Sequence, residues 1–391
     1  MKMKRIAILG STGSIGRQTL AVVEALPGRF SVVAIAGGEN VGVLAEQTVR
    51  HRPQLVAVAS AARANDLAAL LREKGANPLP EITCGPEGLH RAATHPDAEI
   101  VVSAAVGVVG LPATYAAVQA GKTIALANKE VLVAAGELIT TAAREHKVEL
   151  LPVDSEHNAI HQCLRAGRHA EVKKLVLTAS GGPFLRTPMY KLRYVTAEEA
   201  LNHPNWKMGK RITVDSATLV NKGFEVIEAH WLFGMDLKRI EVVIHPQSIM
   251  HSLVEFIDGS VVAQMGPPDM RMPIQYALTY PDRLASNGLV LDWSRLRRLE
   301  FEAPSTRKFP CLALAWEALQ QGGAQPCAFN AADEVAVAAF LNHQIGYTDI
   351  AEVIEAVLRR MPAMRPSNIE EVLAADREAR RLAAEAVTGV R

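Results

Sequence analysis

Asp154 and Glu156 stand two residues apart, with Ser155 between them, directly behind the largely apolar segment 148–153. On an extended backbone, side chains at i and i+2 share a face. Two carboxylates converging at the end of a strand repel unless a positive group lies between them, and a divalent cation is the simplest such partner. The same tripeptide is also a good helix start, because Asp or Ser caps free amides and Glu suits the positive end of the helix dipole.

A second polar cluster lies in residues 211–225. Ser216, Asn221 and Lys222 bring a hydroxyl, an amide and an ammonium within two helical turns. That trio suits a cage of phosphate oxygens, with the lysine as a point charge. Glu225 follows Asn221 by four positions, on the same helix face. It is placed to join Asp154 and Glu156 as a third metal ligand, and an all-oxygen set favours magnesium or manganese over zinc. The plainer reading of Lys222 and Glu225 is a solvated helix face.

Near the N-terminus, Gly10-Ser11-Thr12-Gly13-Ser14-Ile15-Gly16 follows a first strand and opens a helix. Such glycines permit a tight turn and close approach of a pyrophosphate, and the helix start supplies amides and partial positive charge. A plain strand-to-helix turn is the alternative. After the second strand comes Ala36-Gly37-Gly38-Glu39-Asn40. No acid stands at the immediate strand end, where it would hold a ribose diol, so the loop favours a 2′-phosphate and NADP. Glu39 is an awkward neighbour for that phosphate. Asn128-Lys129-Glu130 follows another strand, where polar groups face the nucleotide crevice, or else cap a helix.

The elements that position these groups form two patterns. Up to about residue 150, short aliphatic runs at 6–9, 32–35, 55–58, 100–102, 123–126 and 150–151 alternate with helical segments. Continuous runs of this kind are strands buried on both faces, and the alternation predicts a parallel, doubly wound sheet. Beyond residue 155 the strands 174–177, 240–244, 252–256 and 261–263 predict an α+β domain with a mixed sheet, the last two joined as a hairpin through Asp258-Gly259. Residues 178–211 have little periodicity and read as an active-site lid or as a surface insertion; Trp206 and Met208 argue for the lid. The C-terminal third predicts helices at 311–320, 331–342, 350–361 and 369–387, the last opened by a capping box at Ser367 and Glu370. The expected fold is therefore α/β: an N-terminal Rossmann-like doubly wound parallel sheet, a central α+β catalytic domain with a mixed sheet, and a C-terminal helical bundle. The expected boundaries are a dinucleotide-binding domain at 1–153, a catalytic and dimerisation domain at 154–285 with its lid at 180–210, a linker at 286–310, and the helical domain at 311–391.

Composition narrows the function. A formal net charge of +1 gives no general attraction to nucleic acid or to a membrane surface. The four scattered cysteines form no C-x-x-C pair, which suggests a reducing compartment and a cytoplasmic protein. The apolar stretch 100–118 is broken by Ser103, Gly107, Gly110 and Pro112 and is not a membrane span.

Taken together, the segments ILGSTGSIG (8–16), ALANKE (125–130), VDSEHNAIHQCL (153–164), TASGGPF (178–184), HPNWKMG (203–209), VDSATLVNKGFE (214–225), IHPQSIMHSLVEF (244–256) and PPDMRMPIQYAL (267–278) closely resemble the 1-deoxy-D-xylulose 5-phosphate reductoisomerase family. The resemblance implies an NADPH-dependent, metal-dependent oxidoreductase acting on CH–OH groups. Such an enzyme rearranges a phosphorylated ketose by retro-aldol cleavage and recombination, then reduces the aldehyde to 2-C-methyl-D-erythritol 4-phosphate on the non-mevalonate isoprenoid route. It further implies Mn2+, Mg2+ or Co2+ as the cation, and a homodimer formed through the central sheet.

By the same resemblance, Thr12, Gly13, Ser14 and Ile15 cradle the NADPH pyrophosphate. Gly38 and Asn40 meet the adenosine side, and Asn128, Glu130 and Gly209 make further cofactor contacts. Asp154, Glu156 and Glu225 hold the metal. Lys129, Ser155, Glu156, Ser180, His203, Trp206, Ser216, Asn221, Lys222 and Glu225 surround the substrate, with Glu156, Lys129 and His203 as catalytic groups. Two other readings remain at this point. A semialdehyde-type dehydrogenase needs an acylated thiol, for which Cys163 is the central candidate. A non-enzymatic NADPH sensor would bind the cofactor without metal-dependent turnover.

Overall fold

The structure is a computed structural model that describes residues 3–206, 208–286, 290–294 and 296–390. Lys207 of the expected lid, residues 287–289 and 295 of the expected linker, and the chain ends lie outside the described residues. The chain divides into two compact units. The first comprises Met1–Val131, Ile139–Asn158 and Asp269–Leu289, and the second Leu132–Leu138, Ala159–Pro268 and Val290–Arg391.

The first unit is built on a seven-stranded parallel sheet. Its strands are β1 (Lys4–Leu9), β2 (Phe30–Ala36), β3 (Leu55–Val58), β4 (Glu81–Cys84), β5 (Ile100–Ser103), β6 (Thr123–Leu126) and β7 (Leu150–Pro152), in the order β4-β3-β2-β1-β5-β6-β7. Ile6, Ile8, Val56 and Val102 lie in the core beneath the helices, as their continuous aliphatic runs require. The order reverses between β1 and β5, which puts the crevice for a ligand beyond their carboxyl ends. Helix Arg271–Thr279 returns late in the chain and packs Ile274, Ala277 and Leu278 into the same core.

Strand β4 is an addition to the expected set. It is an edge strand with the sequence Glu-Ile-Thr-Cys and no fully buried residue. An edge strand covered on one side does not need a continuous apolar run, so it carries no such signal.

The second unit holds a four-stranded mixed sheet of β8 (Val172–Ala179), β9 (Ile240–Ile244), β10 (Met250–Phe256) and β11 (Val261–Met265), ordered β11-β10-β8-β9. β8 and β9 pair in parallel, and β10 runs antiparallel to both β8 and β11. The hairpin turns at Asp258-Gly259 as expected, with Gly259 at φ +85°.

Segment 180–210 is more structured than its composition predicts. It contains a 3-10 turn at Met189–Tyr194 and a short helix at Ala197–Ala200, the latter closed by a capping box between Thr196 and Glu199. Phe184, Leu192 and Ala200 are buried, so the segment is packed and is not a solvated insertion.

Four helices, Pro310–Gln321, Gln325–Leu341, Asp349–Arg360 and Ile369–Gly389, complete the unit. The cap of the last helix lies one residue later than expected. Asn368 Oδ1 accepts from the Glu371 amide at 2.9 Å, and Glu371 accepts from the Ser367 amide at 2.7 Å. Asn and Ser cap equally well, and the shift follows from the helix starting at Ile369, which makes Asn368 the N-cap and leaves Ser367 at the preceding position.

Candidate active site

In the first unit, the glycine loop follows β1. Gly10 has φ +86°, and a Cβ there would lie 2.4 Å from the Ala104 carbonyl oxygen at the end of β5. A Cβ on Gly16 would meet the Gly10 oxygen, also at 2.4 Å. Only glycine lets the turn close at these two points. Helix Ser14–Ala25 starts at once, with Gly13 as an N-cap that has no side chain to satisfy the first-turn amides. Thr12, Gly13, Ser14 and Ile15 therefore form an anion-ready helix start. The buried Ser11 hydroxyl oxygen beside it has no partner among the described residues.

Beyond β2, a Cβ on Gly38 would meet nothing within 4 Å, so the backbone faces open space. Asn40 caps helix Val41–His51, its Oδ1 accepting the Val43 amide at 3.2 Å.

Asn128 and Glu130 brace the loop after β5. Asn128 Nδ2 donates to the Gly107 carbonyl at 2.9 Å and also to that of Ala105, while its Oδ1 accepts the Val131 amide at 3.1 Å. Glu130 Oε1 accepts the Gly107 amide at 3.2 Å. Both side chains are buried, and in this arrangement they shape the loop at the switch point.

Asp154 and Glu156 are not on an extended backbone. Helix Ser155–Cys163 begins between them, and the Asn158 amide donates to the Asp154 carbonyl at 2.8 Å. The same-face argument from strand geometry therefore does not hold. The strand-to-helix turn nevertheless brings a carboxylate oxygen of each within 4.8 Å of the other. Ser155 Oγ donates to Glu156 Oε2 at 2.6 Å. The Lys129 ammonium rests against the Asp154 carboxylate, and His157 Nδ1 lies 3.5 Å from it. Burial alone would push the Asp154 carboxyl up; Lys129 first and His157 next outweigh it and hold that carboxyl well below the usual range. Asp154 thus remains an anion. His157, buried at the third position after Asp154, was legible as a helical neighbour but had not been singled out.

In the second unit, Ser180 follows β8. A Cβ on Gly182 (φ +65°) would lie 2.6 Å from the Ser216 carbonyl oxygen, so the missing side chain lets this turn press against the helix carrying Ser216. Ser180 Oγ lies 3.0 Å from His203 Nε2 and accepts the Gly182 amide at 3.2 Å. His203 Nδ1 accepts the amides of Asn205 and Trp206, at 3.2 and 3.0 Å.

The Trp206 ring sits 6.4 Å from that of His251, centroid to centroid. Asn205, which the sequence reading passed over, pins this stretch by donating to the Pro246 carbonyl at 2.6 Å and to Ser248 Oγ at 3.1 Å. Gly209 forms the N-cap of helix Lys210–Thr218.

That helix and the next, Val220–Phe233, meet at Leu219 in the left-handed conformation (φ 62°). Asn221 Nδ2 donates to Glu225 Oε1 at 2.6 Å, and the Lys222 ammonium rests on the same carboxylate. Lys222 is 3% exposed and Glu225 0%. A solvated helix face is therefore excluded for this pair.

Arg211, in the first turn of helix Lys210–Thr218, donates to Asn330 at 2.8 Å, Glu334 at 3.1 Å and Asp333 at 3.2 Å, all on helix Gln325–Leu341. Tyr347 adds a hydrogen bond to the Ala217 carbonyl at 2.6 Å.

A doubly wound sheet with an anion-ready glycine loop, together with the half-buried Asp154 and Glu156 carboxylates placed to offer oxygen to a cation, defines a metal-assisted, dinucleotide-dependent oxidoreductase. Cys163 is buried in the core, 2% exposed, and offers no accessible thiol for the semialdehyde-type alternative.

Comparison with known proteins specifies the class. The family model described as 1-deoxy-D-xylulose 5-phosphate reductoisomerase matches residues 6–136, that of its C-terminal domain matches residues 150–233, and a further DXP reductoisomerase C-terminal domain matches residues 265–382. A 1-deoxy-D-xylulose 5-phosphate reductoisomerase of Chlorobium phaeobacteroides is 52% identical over 381 residues, covering 97% of this chain and 98% of its own. That of Symbiobacterium thermophilum is 53% identical, covering 98% of each chain. The solved Zymomonas mobilis reductoisomerase in complex with NADPH superposes with a TM-score of 0.92 at 44% identity, covering 98% of this chain and 99% of its own. A solved DOX-P reductoisomerase with NADPH, fosmidomycin and magnesium gives a TM-score of 0.93 at 40% identity, covering 99% and 98%. The chain belongs to the 1-deoxy-D-xylulose 5-phosphate reductoisomerase family.

Proposed function

We propose that this chain converts 1-deoxy-D-xylulose 5-phosphate to 2-C-methyl-D-erythritol 4-phosphate, using NADPH and a divalent cation. The observation that carries the reading is the half-buried Asp154–Glu156 pair beside Lys129, within a chain whose family match runs along nearly its whole length. The residues suit both groups. The glycine turn closes only without side chains and leaves helix amides for a pyrophosphate, and the carboxylates form an oxygen-only donor set for Mg2+, Mn2+ or Co2+. We assign Asp154, Glu156 and Glu225 as the metal ligands. When bound, the cation supplies Lewis acidity to the substrate's ketone and neighbouring hydroxyl, and NADPH supplies a hydride.

The chain's own groups do the rest. Glu156 carries a proton to and from the substrate hydroxyl, with Ser155 fixing its orientation. Lys129 stabilises negative charge as it develops beside Asp154. Ser180, Ser216, Asn221 and Lys222 hold the phosphate, so binding energy far from the reacting carbons positions them. His203 and Trp206 cover the substrate and keep water from the aldehyde. In functional terms the chain divides as a dinucleotide-binding part at 1–153, a catalytic part at 154–285, a linker at 286–310 and a helical part at 311–391.

The protein acts as a cytoplasmic homodimer. The four free cysteines support a reducing compartment, and among the described residues no helix is long and apolar enough to cross a membrane. Support for the dimer comes from Ile257 and Val261, exposed apolar residues on the edge hairpin of the mixed sheet.

The test is NADPH oxidation followed at its near-ultraviolet absorbance, with 1-deoxy-D-xylulose 5-phosphate and Mg2+, with and without chelator. Substrate-dependent oxidation that chelator abolishes is expected. No oxidation with the metal present, or oxidation indifferent to chelator, would overturn the assignment.

A further inference from the structure

Glu39 is the residue that the nucleotide reading leaves unexplained. It sits three positions after the end of β2, where dinucleotide enzymes meet the adenosine ribose. A carboxylate there suits the ribose diol of NADH and repels the 2′-phosphate of NADPH. The loop 36–41 carries no Lys or Arg of its own to offset it.

The structure supplies a cation from the helix that follows the neighbouring strand β3. Arg63 Nε donates to Glu39 Oε2 at 2.8 Å, and its Nη1 donates to Asp66 at 3.1 Å. This is a placed contact. The Gly37 amide donates to the Ala57 carbonyl at 3.0 Å and the Ala59 amide to the Gly38 carbonyl at 3.2 Å, so the loops after β2 and β3 are tied by their backbones. Ser60 then caps helix Ala61–Glu73 through the Arg63 amide itself, which fixes where the arginine emerges. The pair is open to solvent, with Arg63 42% and Glu39 71% exposed at their side chains. Beside it, the Gly38 backbone faces open space. A guanidinium has five donors in a rigid fork that matches phosphate, and the two carboxylates engage only part of it.

We propose that Arg63 recognises the 2′-phosphate of NADPH in this chain, and that Glu39 holds the guanidinium over the adenosine end until the phosphate replaces it. The assignment rests on the NADPH reading above. It makes Arg63 the specificity-determining residue between the two dinucleotides, with Glu39 as its placeholder and not as a ligand of the cofactor.

The experiment is a titration of NADPH and of NADH, followed by nicotinamide fluorescence, on the full-length wild type, Arg63→Ala and Arg63→Lys, with 2′,5′-ADP and 5′-ADP as competing probes. Arg63→Ala is expected to weaken NADPH and 2′,5′-ADP about tenfold or more while leaving NADH and 5′-ADP unchanged, with Arg63→Lys recovering part of the loss. An unchanged NADPH affinity in Arg63→Ala, or an equal loss for both dinucleotides, overturns the assignment alone. Failure of the wild type to bind either dinucleotide overturns the underlying NADPH reading instead.

Discussion

Nε2 of His203 lies 3.0 Å from the Ser180 hydroxyl, while Nδ1 of the same ring accepts two backbone amides, those of Asn205 and Trp206. A ring nitrogen that accepts carries no proton, so the neutral imidazole holds its hydrogen on Nε2 and donates it to Ser180. Ser180 Oγ then accepts from both His203 and the Gly182 amide, which leaves its own hydrogen to donate away from these two partners. One neutral histidine therefore shapes the Trp206 turn and orients the Ser180 hydroxyl together.

That geometry sets a pH dependence. Burial lowers the His203 pKa below its ordinary 6.5, favouring the neutral ring. A lowered folded-state pKa means the turn is fully stabilised above 6.5 and loses stability as pH falls through the folded value, when Nδ1 gains a proton that faces two N–H groups. Binding of a phosphonate substrate analogue should weaken as pH is lowered from about 7.5 to 5, and His203→Gln should flatten that profile. A wild-type profile as flat as the variant's would remove His203 from this role.

Lys222→Ala should raise KM for the phosphorylated substrate about tenfold or more, with a smaller change in kcat. The substitution also leaves the buried Glu225 carboxylate without its ammonium partner, so the metal-free protein should lose about 3–5 kcal/mol of stability. Steady-state kinetics and denaturant melts check both parts. An unaltered KM would place the phosphate elsewhere.

Glu225→Gln should weaken Mg2+ binding by calorimetry and cut turnover sharply, since a neutral amide replaces an anionic ligand. Unchanged metal affinity would take Glu225 out of the ligand set.

Gly16→Ala tests the dinucleotide turn. The added Cβ would stand 2.4 Å from the Gly10 oxygen and the Ser11 Cα, both backbone atoms that yield only if the loop moves. A loss of about 1–3 kcal/mol in stability and a weakened NADPH affinity are expected. Titration at wild-type affinity would show that the loop tolerates the shift.

Much of this was legible in the chain, for identifiable reasons. Strands buried on both faces must be continuously aliphatic, so β1, β2, β3, β5 and β6 could be read directly. β4 could not, because an edge strand is free of that demand. Asp154 and Glu156 were found through their spacing, but by a strand argument that the helix start at Ser155 replaces. Local spacing cannot tell the two backbones apart when either brings the acids together. The burial of Lys222 and Glu225 was also hidden, since charged residues three apart read as a solvated face unless the packing against them is known. The 3-10 turn and short helix within 180–210 were missed because elements of six and four residues hold too few positions for a period to emerge.

The grip of helix Gln325–Leu341 on Arg211 bears on how the protein can be cut down for screening. A fragment ending before residue 310 would strip a guanidinium of three acceptors at the root of the helix that bears Ser216, and would also remove the Tyr347 tether to Ala217. Inhibitor campaigns on such a shortened version would then address a loosened Ser216 helix, and the hits would rank differently against the intact enzyme.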